Sequence, residues 1–553
     1  SINDFVTGQP ALFYERGFSL LPGSGVGDDS SGAAEFNLWQ LGLYVQDDIQ
    51  FTDNFRMSIG LRFDMPIWED GLANDDFNNR TIPLLEAAGK DLQGARVGQG
   101  IDNKVHVSPR LGFNWDVFGN KTTQVRGGLG VFTSRLPLVW PGATYNNNGV
   151  TGGFSSDRDF DDPIFFNPDV NNQPTSVEPG TGAVAGNVDL FAKDFKLPQR
   201  FRTSIAVDQK LPIWGLVVSA DYMYNDNISD IFYENLNIRG PVGFLNGADN
   251  RPFFDRRDRI DATYGSIILA SNTSKGYSWN STFTIRKPYQ NGFQGQVAWS
   301  FGRSEAIFDG TSSQNTSQWR NIQTVNGKNS NLPVTFSDFN QGHRLTSFVS
   351  YDFEWLKNFK TTIGFFYEGF EGTPFSYIYS NRRTNLLNDD SRDNALMFVP
   401  SNLGQINLVD NSGAPITDVN HPDWILLNNF IENDSYLRSK RGQYVERNGD
   451  QGPWSHIIDL RLVQDFSLKL GNNKHAFQFT ADMFNFTNFL NKDWGKRKFV
   501  PGNVSILQTE SGGPDPTFSV IRSTLERGVE QLDDAGIASS RWQLQLGLRY
   551  LFN

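Results

Sequence analysis

The sequence has no cysteine at all. That excludes disulfide frameworks, thiolate zinc sites and cysteine nucleophiles. It also lacks any run of about 18 apolar residues, so no helix is expected to cross a membrane. Basic residues are too few for a nucleic-acid footprint: 49 Lys+Arg stand against 61 Asp+Glu, a formal net charge of −12. Histidine is scarce, with His106, His343, His421, His456 and His475 making no HExxH and no close pair. Neither a G-x-S-x-G elbow nor a P-loop occurs, and Gly127-Gly128-Leu129-Gly130 falls inside a strand pattern. There it marks a bend or the close approach of another backbone. No catalytic residue, metal site or cofactor is therefore expected, and the chain does not read as an enzyme. Ser1–Phe5 has neither a basic n-region nor an apolar h-region. Either a leader was removed or the chain starts inside a larger protein.

What is abundant is Gly (53), Phe (46) and aromatics generally, at 14%. A mean hydropathy of −0.44 and 553 residues first suggest several soluble acidic domains. The order of the residues points elsewhere. Trp39, Leu41, Leu43, Val45, Ile49 and Phe51 alternate with polar residues, and after Thr52-Asp53-Asn54 so do Phe55, Met57, Ile59, Leu61, Phe63 and Met65. Period two across a short turn is a hairpin. The unit recurs at Val107–Val131, Phe201–Tyr224, Tyr277–Phe301, Leu345–Tyr367 and Ile458–Met483, and a lone strand spans Trp542–Phe552. The expectation is thirteen antiparallel strands of about 11 to 14 residues. Long segments separate the hairpins, at roughly 67–105, 135–199, 227–274, 304–341, 373–455 and 489–540. Tight turns would then lie at one end and long loops at the other, as in outer-membrane barrels.

Strands this long span a hydrocarbon core of about 25–30 Å when tilted. One face is heavily charged: Arg56, Arg62, Asp64, Arg110, Arg126, Asp221, Arg344, Asp352, Asp459, Arg461, Asp465 and Asp482. The preferred assignment puts this face in a wet or plugged lumen and the apolar face in outer-membrane lipid; a soluble sandwich or barrel would reverse it. Trp39, Phe51, Phe63, Trp115, Phe118, Trp299, Phe353 and Trp355 gather near strand ends, as interfacial girdles do. Trp542, Tyr550 and Phe552 give the last strand the character of a C-terminal barrel signal, with Asn553 following the usual terminal aromatic.

Several motifs resemble TonB-dependent receptors. They are Leu41-Gly42-Leu43-Tyr44-Val45-Gln46-Asp47-Asp48 with Ile59-Gly60-Leu61-Arg62-Phe63-Asp64. Ser108-Pro109-Arg110-Leu111-Gly112-Phe113 with Arg126–Phe132, Leu197–Arg202, Asp459-Leu460-Arg461-Leu462, Gln464-Asp465-Phe466 and Asp482–Asn488 are similar to the Oar-like, SusC-related branch of Bacteroidota. The resemblance implies a 22-stranded transmembrane barrel with a plug and a periplasmic contact to TonB. The thirteen strands would be the C-terminal ones, residues 38–553, with 22 − 13 = 9 strands and the plug outside this chain, and residues 1–37 the remnant of an extracellular loop. It implies ligand import through the lumen. The alternative is a non-transporting barrel subunit of an outer-membrane assembly or secretion complex, with surface lipoproteins as partners.

Loop aromatics are the candidates for ligand or partner contact: Trp140, Tyr145, Phe160, Phe253, Phe254, Tyr377 and Tyr379. The competing reading is that they pack loop on loop. Asp157–Asp162 and Asn388–Asp393 are acidic enough for Ca²⁺, although neither has EF-hand spacing. Asp423–Leu437 is expected to form a short loop helix with Trp424, Leu427, Ile431 and Leu437 on one side.

Overall fold

A computed structural model describes residues 6–10, 14–21, 33–157, 165–169, 186–381, 384–471, 473–533 and 540–552. Thirteen long strands follow one another in sequence order across a single antiparallel sheet. They are β1 (Leu38–Thr52), β2 (Phe55–Trp68), β3 (His106–Asp116), β4 (Thr123–Thr133), β5 (Gln199–Lys210), β6 (Val217–Asn235) and β7 (Tyr277–Gln290). The rest are β8 (Phe293–Ala306), β9 (His343–Leu356), β10 (Phe359–Phe370), β11 (Ser455–Leu470), β12 (Asn473–Phe484) and β13 (Gln543–Phe552). Tight turns close the six pairs at one end. Between β7 and β8 the turn is Asn291-Gly292, with φ of 52° and 80°. Two successive positive φ values match the twist of a two-residue hairpin and favour Asn-Gly.

The strict alternation resolves which face is which. Trp39, Leu41, Leu43, Val45, Ile205, Val207, Phe283, Ile285, Val297, Val349, Phe365, Phe479, Leu544, Leu546 and Leu548 are all exposed, Leu43 by 71%. A soluble barrel would bury this face; here it is the outer surface, suited to lipid. Aromatic clusters mark both ends. At the loop end Trp299 stacks on Phe301 and His343, and His456 lies between Trp454 and Tyr367. At the turn end Trp355, Phe359 and Phe466 gather, as do His475, Tyr550 and Phe552. Lys287 shares the parity of Phe283 and Ile285, yet its ammonium reaches Pro288 O and Gln290 Oε1 at 3.1 and 2.9 Å. It bends toward the turn, as a basic side chain near an interface does.

Ion pairs cross the polar face from strand to strand. Arg56 meets Asp48 at 3.0 Å, and Arg126 bridges Asp208 and Asp221 at 3.2 and 2.9 Å. Lys360 meets Asp352 at 2.7 Å, Arg461 meets Asp482 at 3.5 Å, and Arg344 pairs with Glu368. Arg62 holds Asp64 two residues on along the same face at 2.7 Å. Arg110 lies over the Phe132 ring, and Asp459 accepts the Asn485 N–H. Asp465 accepts the Gln478 amide at 2.8 Å, so each of the twelve charged residues expected on this face has a partner. Half-exposed pairs add about 0–1 kcal/mol each. The glycines of β4 answer to the sheet itself: a Cβ on Gly128 would stand 2.7 Å from Leu111 O of the neighbouring strand.

The long connections are not structureless. β6, expected to stop near Tyr224, runs on to Asn235 because its outer half pairs with Ile267–Thr273, which in turn pairs with Val188–Phe191. This extension seeds one apolar core with Phe77, Leu85, Tyr233, Ile267–Ala270 and Trp319. A second core joins Phe375, Tyr377, Leu387, Met397, Leu427, Ile431, Leu437 and Ile506. The expected loop helix forms as Pro422–Asn433 and Ser435–Ser439, burying Trp424, Leu427, Ile431 and Leu437. Asp434 caps the second piece by accepting the Leu437 N–H at 2.9 Å. Segment Tyr14–Ser19 pairs with Gly152–Asp157, within this loop layer.

Candidate functional site

The loop layer roofs the polar wall, and three clefts open where they meet. The roof is fastened at Ser337–Asn340. Thr335–Phe336 pairs with the end of β8, which brings the chain back over the wall. Ser337 Oγ donates to Asp309, and the Asp338 N–H reaches the same carboxylate at 2.9 Å. Asn340 Oδ1 accepts the Ser304 N–H at 2.9 Å. A second loop clasps this turn. Arg447 donates to Asp309 Oδ2 at 2.9 Å, Thr335 Oγ1 at 3.0 Å and Ala306 O at 2.7 Å. Asn448 Nδ2 reaches Phe336 O and Asp338 Oδ1 at 2.9 and 2.7 Å. The Arg447 and Asp309 side chains are each only 5% exposed.

Between these anchors Phe339 stays 66% exposed. It lines a cleft of about 440 Å³ on one side and one of about 500 Å³ on the other. A third, of about 510 Å³, shares Phe308, Asp309 and Gly310 with the first and Asp338 and Thr373 with the second. In the first cleft Arg135, Arg200 and Lys275 balance Asp230, Glu305 and Asp309. In the second Arg344, Arg497 and Lys498 stand among Asp338, Glu368, Glu371 and Asp533. Arg200–Asp230 at 3.2 Å and Arg344–Glu368 pair these charges off. The arrangement offers one fixed aromatic surface amid polar groups of both signs, which suits binding and orientation of a polar ligand.

The expected loop aromatics do not converge. Trp140 lines the first cleft and donates its indole N–H to Ser312 O at 2.9 Å. Tyr145 stacks on Phe36 at 4.5 Å, and its hydroxyl donates to Glu69 O at 2.6 Å. Burial pushes that phenol up to about 12. Phe253 and Phe254 are half-buried against the second and first cores respectively. Tyr377 is 0% exposed and donates to Asp434 at 2.7 Å; Tyr379 is 2% exposed and stacks on Phe518. These two are packing residues of the roof, not surface contacts, because both sides of their short segment are covered. Phe160 and most of Asp157–Asp162 lie outside the described residues. In the other acidic cluster Asp389 pairs with Lys328 and Asp390 with Arg320, so these carboxylates already have cations. Among the described residues no three His, Asp or Glu side chains are grouped as metal ligands. His106, His343, His456 and His475 sit at strand ends and His421 caps a helix.

Phe339, Asp309 and Arg447 were not singled out from the sequence. Ser337-Asp338-Phe339-Asn340 looks like any polar turn, and the Asp309–Arg447 contact spans 138 residues. The C-terminal Trp542, Tyr550 and Phe552 are exposed on the sheet's outer surface, with the Tyr550 hydroxyl 2.6 Å from His475 Nδ1.

Among solved structures the chain is similar to the outer membrane transporter YddB from Escherichia coli. Identity is 12%, 93% of this chain and 45% of that chain are covered, and the TM-score is 0.41. It is also similar to a mutant of the ferric enterobactin receptor PfeA from Pseudomonas aeruginosa (11%, 93% and 44%, TM-score 0.37). A third is the siderophore receptor PirA from Acinetobacter baumannii (10%, 86% and 47%, TM-score 0.37). The chain spans less than half the length of these structures. No curated protein matches it. The family model described as "Outer membrane beta barrel domain" matches residues 1–523. With its lipid-suited outer face and its charged inner wall, the chain forms the antiparallel wall of an outer-membrane β-barrel domain and belongs to that family.

Proposed function

We propose that this barrel is the C-terminal part of a TonB-dependent receptor of the Oar-like branch, importing a polar ligand through a plugged lumen. The observation that carries the reading is the set of joined clefts beneath the roof, with Phe339 presented on a fastened turn above an ion-paired wall. The family membership and the motif resemblance support it. Among the described residues β1 pairs only with β2 and β13 only with β12, so two sheet edges are open. Each unpaired backbone group in hydrocarbon costs several kcal/mol. On this reading further strands of the same protein cover both edges, a plug fills the lumen, and TonB acts through the plug.

The test compares spent medium from wild-type cells with that from cells lacking this gene or TonB. The reading expects a compound depleted only when both are present. Uptake that persists without TonB refutes it, and a fixed-stoichiometry complex with no uptake favours the assembly-subunit alternative. Restoring the gene with Phe339→Ala should lower capture at least tenfold while leaving the melting temperature unchanged, because an exposed ring adds binding surface and little folding energy.

A further inference from the structure

Beyond β12 the chain makes a tight turn at the loop end, over residues 485–495, and two asparagines hold it from inside. Asn485 is buried in the left-handed region at φ 51°. It donates its N–H to Asp459 Oδ1 at 2.7 Å and its amide to Gly495 O at 2.8 Å. Asn488 donates to Lys492 O and Trp494 O at 3.1 and 2.9 Å, and its Oδ1 accepts the Trp542 N–H at 3.3 Å. A Cβ on Gly495, at φ 63°, would strike Asn485 Oδ1. The turn is fastened in this way both to the polar wall and to the residue before β13. Its large apolar side chains are left uncovered. Phe489, Leu490 and Trp494 are 51%, 58% and 54% exposed, and the helical turn Phe486–Leu490 buries none of its residues.

Phe489 packs edge-on against Trp542, with ring centroids 5.1 Å apart. Trp542 has the parity of Leu544, Leu546, Leu548 and Tyr550, the exposed outward residues of β13. Trp542 and Tyr550 bracket the three leucines and lie about 27 Å apart along the strand, at about 3.4 Å per residue. A tilted strand of that length spans most of an apolar band about 25 Å tall. Trp542 therefore marks the loop-end boundary of the band, and the turn packed on it continues the lipid-facing surface at that level. Tryptophan favours the boundary between headgroups and acyl chains. Lys492, exposed on the same turn, suits that level too, where a long basic side chain reaches the headgroups. We infer that residues 486–494 form an interfacial foot, with Phe489, Leu490 and Trp494 inserted among the upper acyl chains of the outer leaflet. Arg497, Lys498 and Phe499, which line the second cleft, follow directly, so the foot holds one wall of that cleft at a fixed height above the membrane. The inference rests on the lipid-facing sheet and is independent of the import reading.

The experiment places a nitrobenzoxadiazole label on Leu490→Cys and, separately, on Trp494→Cys, in the whole protein reconstituted in phosphatidylcholine vesicles. Each position checks the other, should one substitution disturb the turn. The label is quenched by lipids carrying a nitroxide near the headgroup or near the chain end, and by iodide in the water. Asn411→Cys, at an exposed loop-layer site, is the comparison. The proposal expects the headgroup-proximal nitroxide to quench positions 490 and 494 about twofold more than the chain-end nitroxide. Iodide should quench them far less than position 411. Iodide quenching equal to that at 411 would overturn the proposal, because the turn would then stand in water. Protection from iodide and from both nitroxides would overturn it as well, because protein beyond β13 would then cover the turn. Stronger quenching from the chain end would contradict the boundary level.

Discussion

Arg447→Ala is expected to loosen the whole roof, at a cost of about 3–5 kcal/mol, because it leaves a buried carboxylate without its cation. Asp309 would keep only the Ser337 hydroxyl and the Asp338 N–H. Ala306 O and Thr335 Oγ1 would lose their donors as well. Limited proteolysis should then cut within residues 304–341 and 373–455, while the barrel strands stay resistant. The double variant Arg447→Met with Asp309→Leu should recover part of the loss, since apolar groups of similar volume carry no uncompensated charge. A single variant that melts and resists protease like the wild type would show that the roof is held by its two apolar cores alone.

Ile285→Arg and Thr282→Arg are substitutions on the two faces of β7 with opposite expected outcomes. Ile285 points outward, 52% exposed, and is registered with Val297 of β8 and Val218 of β6, between the two aromatic ends. Arginine there should cost about 2–4 kcal/mol, the depth-dependent penalty for a cation at the bilayer midplane. Thr282 faces the polar wall, where its hydroxyl meets Ser300 Oγ at 2.9 Å. Arginine at that position joins a wet wall already carrying charge and should cost well under 1 kcal/mol. Denaturant unfolding of the two variants in lipid vesicles measures the difference. Equal costs would mean that the faces do not divide lipid from water.

The thirteen strands were legible because each writes its two faces into every second residue, and a one-residue error would put arginine among the lipid chains. Polar-wall residues such as Arg56 and Arg126 were legible for the same reason. Their partners were less so: the Arg126–Asp221 pair needs the registers of β4, β5 and β6 at once. The roof was not legible. Tyr377 and Tyr379 look like exposed loop aromatics until the packing of distant segments such as 503–518 covers them. Conversely, Phe339 is exposed only because its flanking residues are pinned from residues 309 and 447. Periodicity reports a face; it carries no information about which loops meet above it. The β6 extension was missed for a related reason. After Tyr224 the polar run Asn225-Asp226-Asn227 interrupts the apolar alternation, and residues 230–235 are held in the strand by pairing with Ile268–Thr273, a partner the local pattern does not show.

The absence of cysteine makes the central claim directly testable, since single cysteines can be introduced and spin-labelled without removing any native thiol. Labels placed one at a time from residue 279 to residue 285, along β7, in lipid vesicles should alternate. Positions 279, 281, 283 and 285 should be reached by oxygen, which concentrates in lipid. Positions 280, 282 and 284 should be reached by a water-soluble nickel chelate. Alternation of the opposite phase, or uniform access to the chelate along the strand, would contradict the account of this sheet as the wall of a membrane barrel.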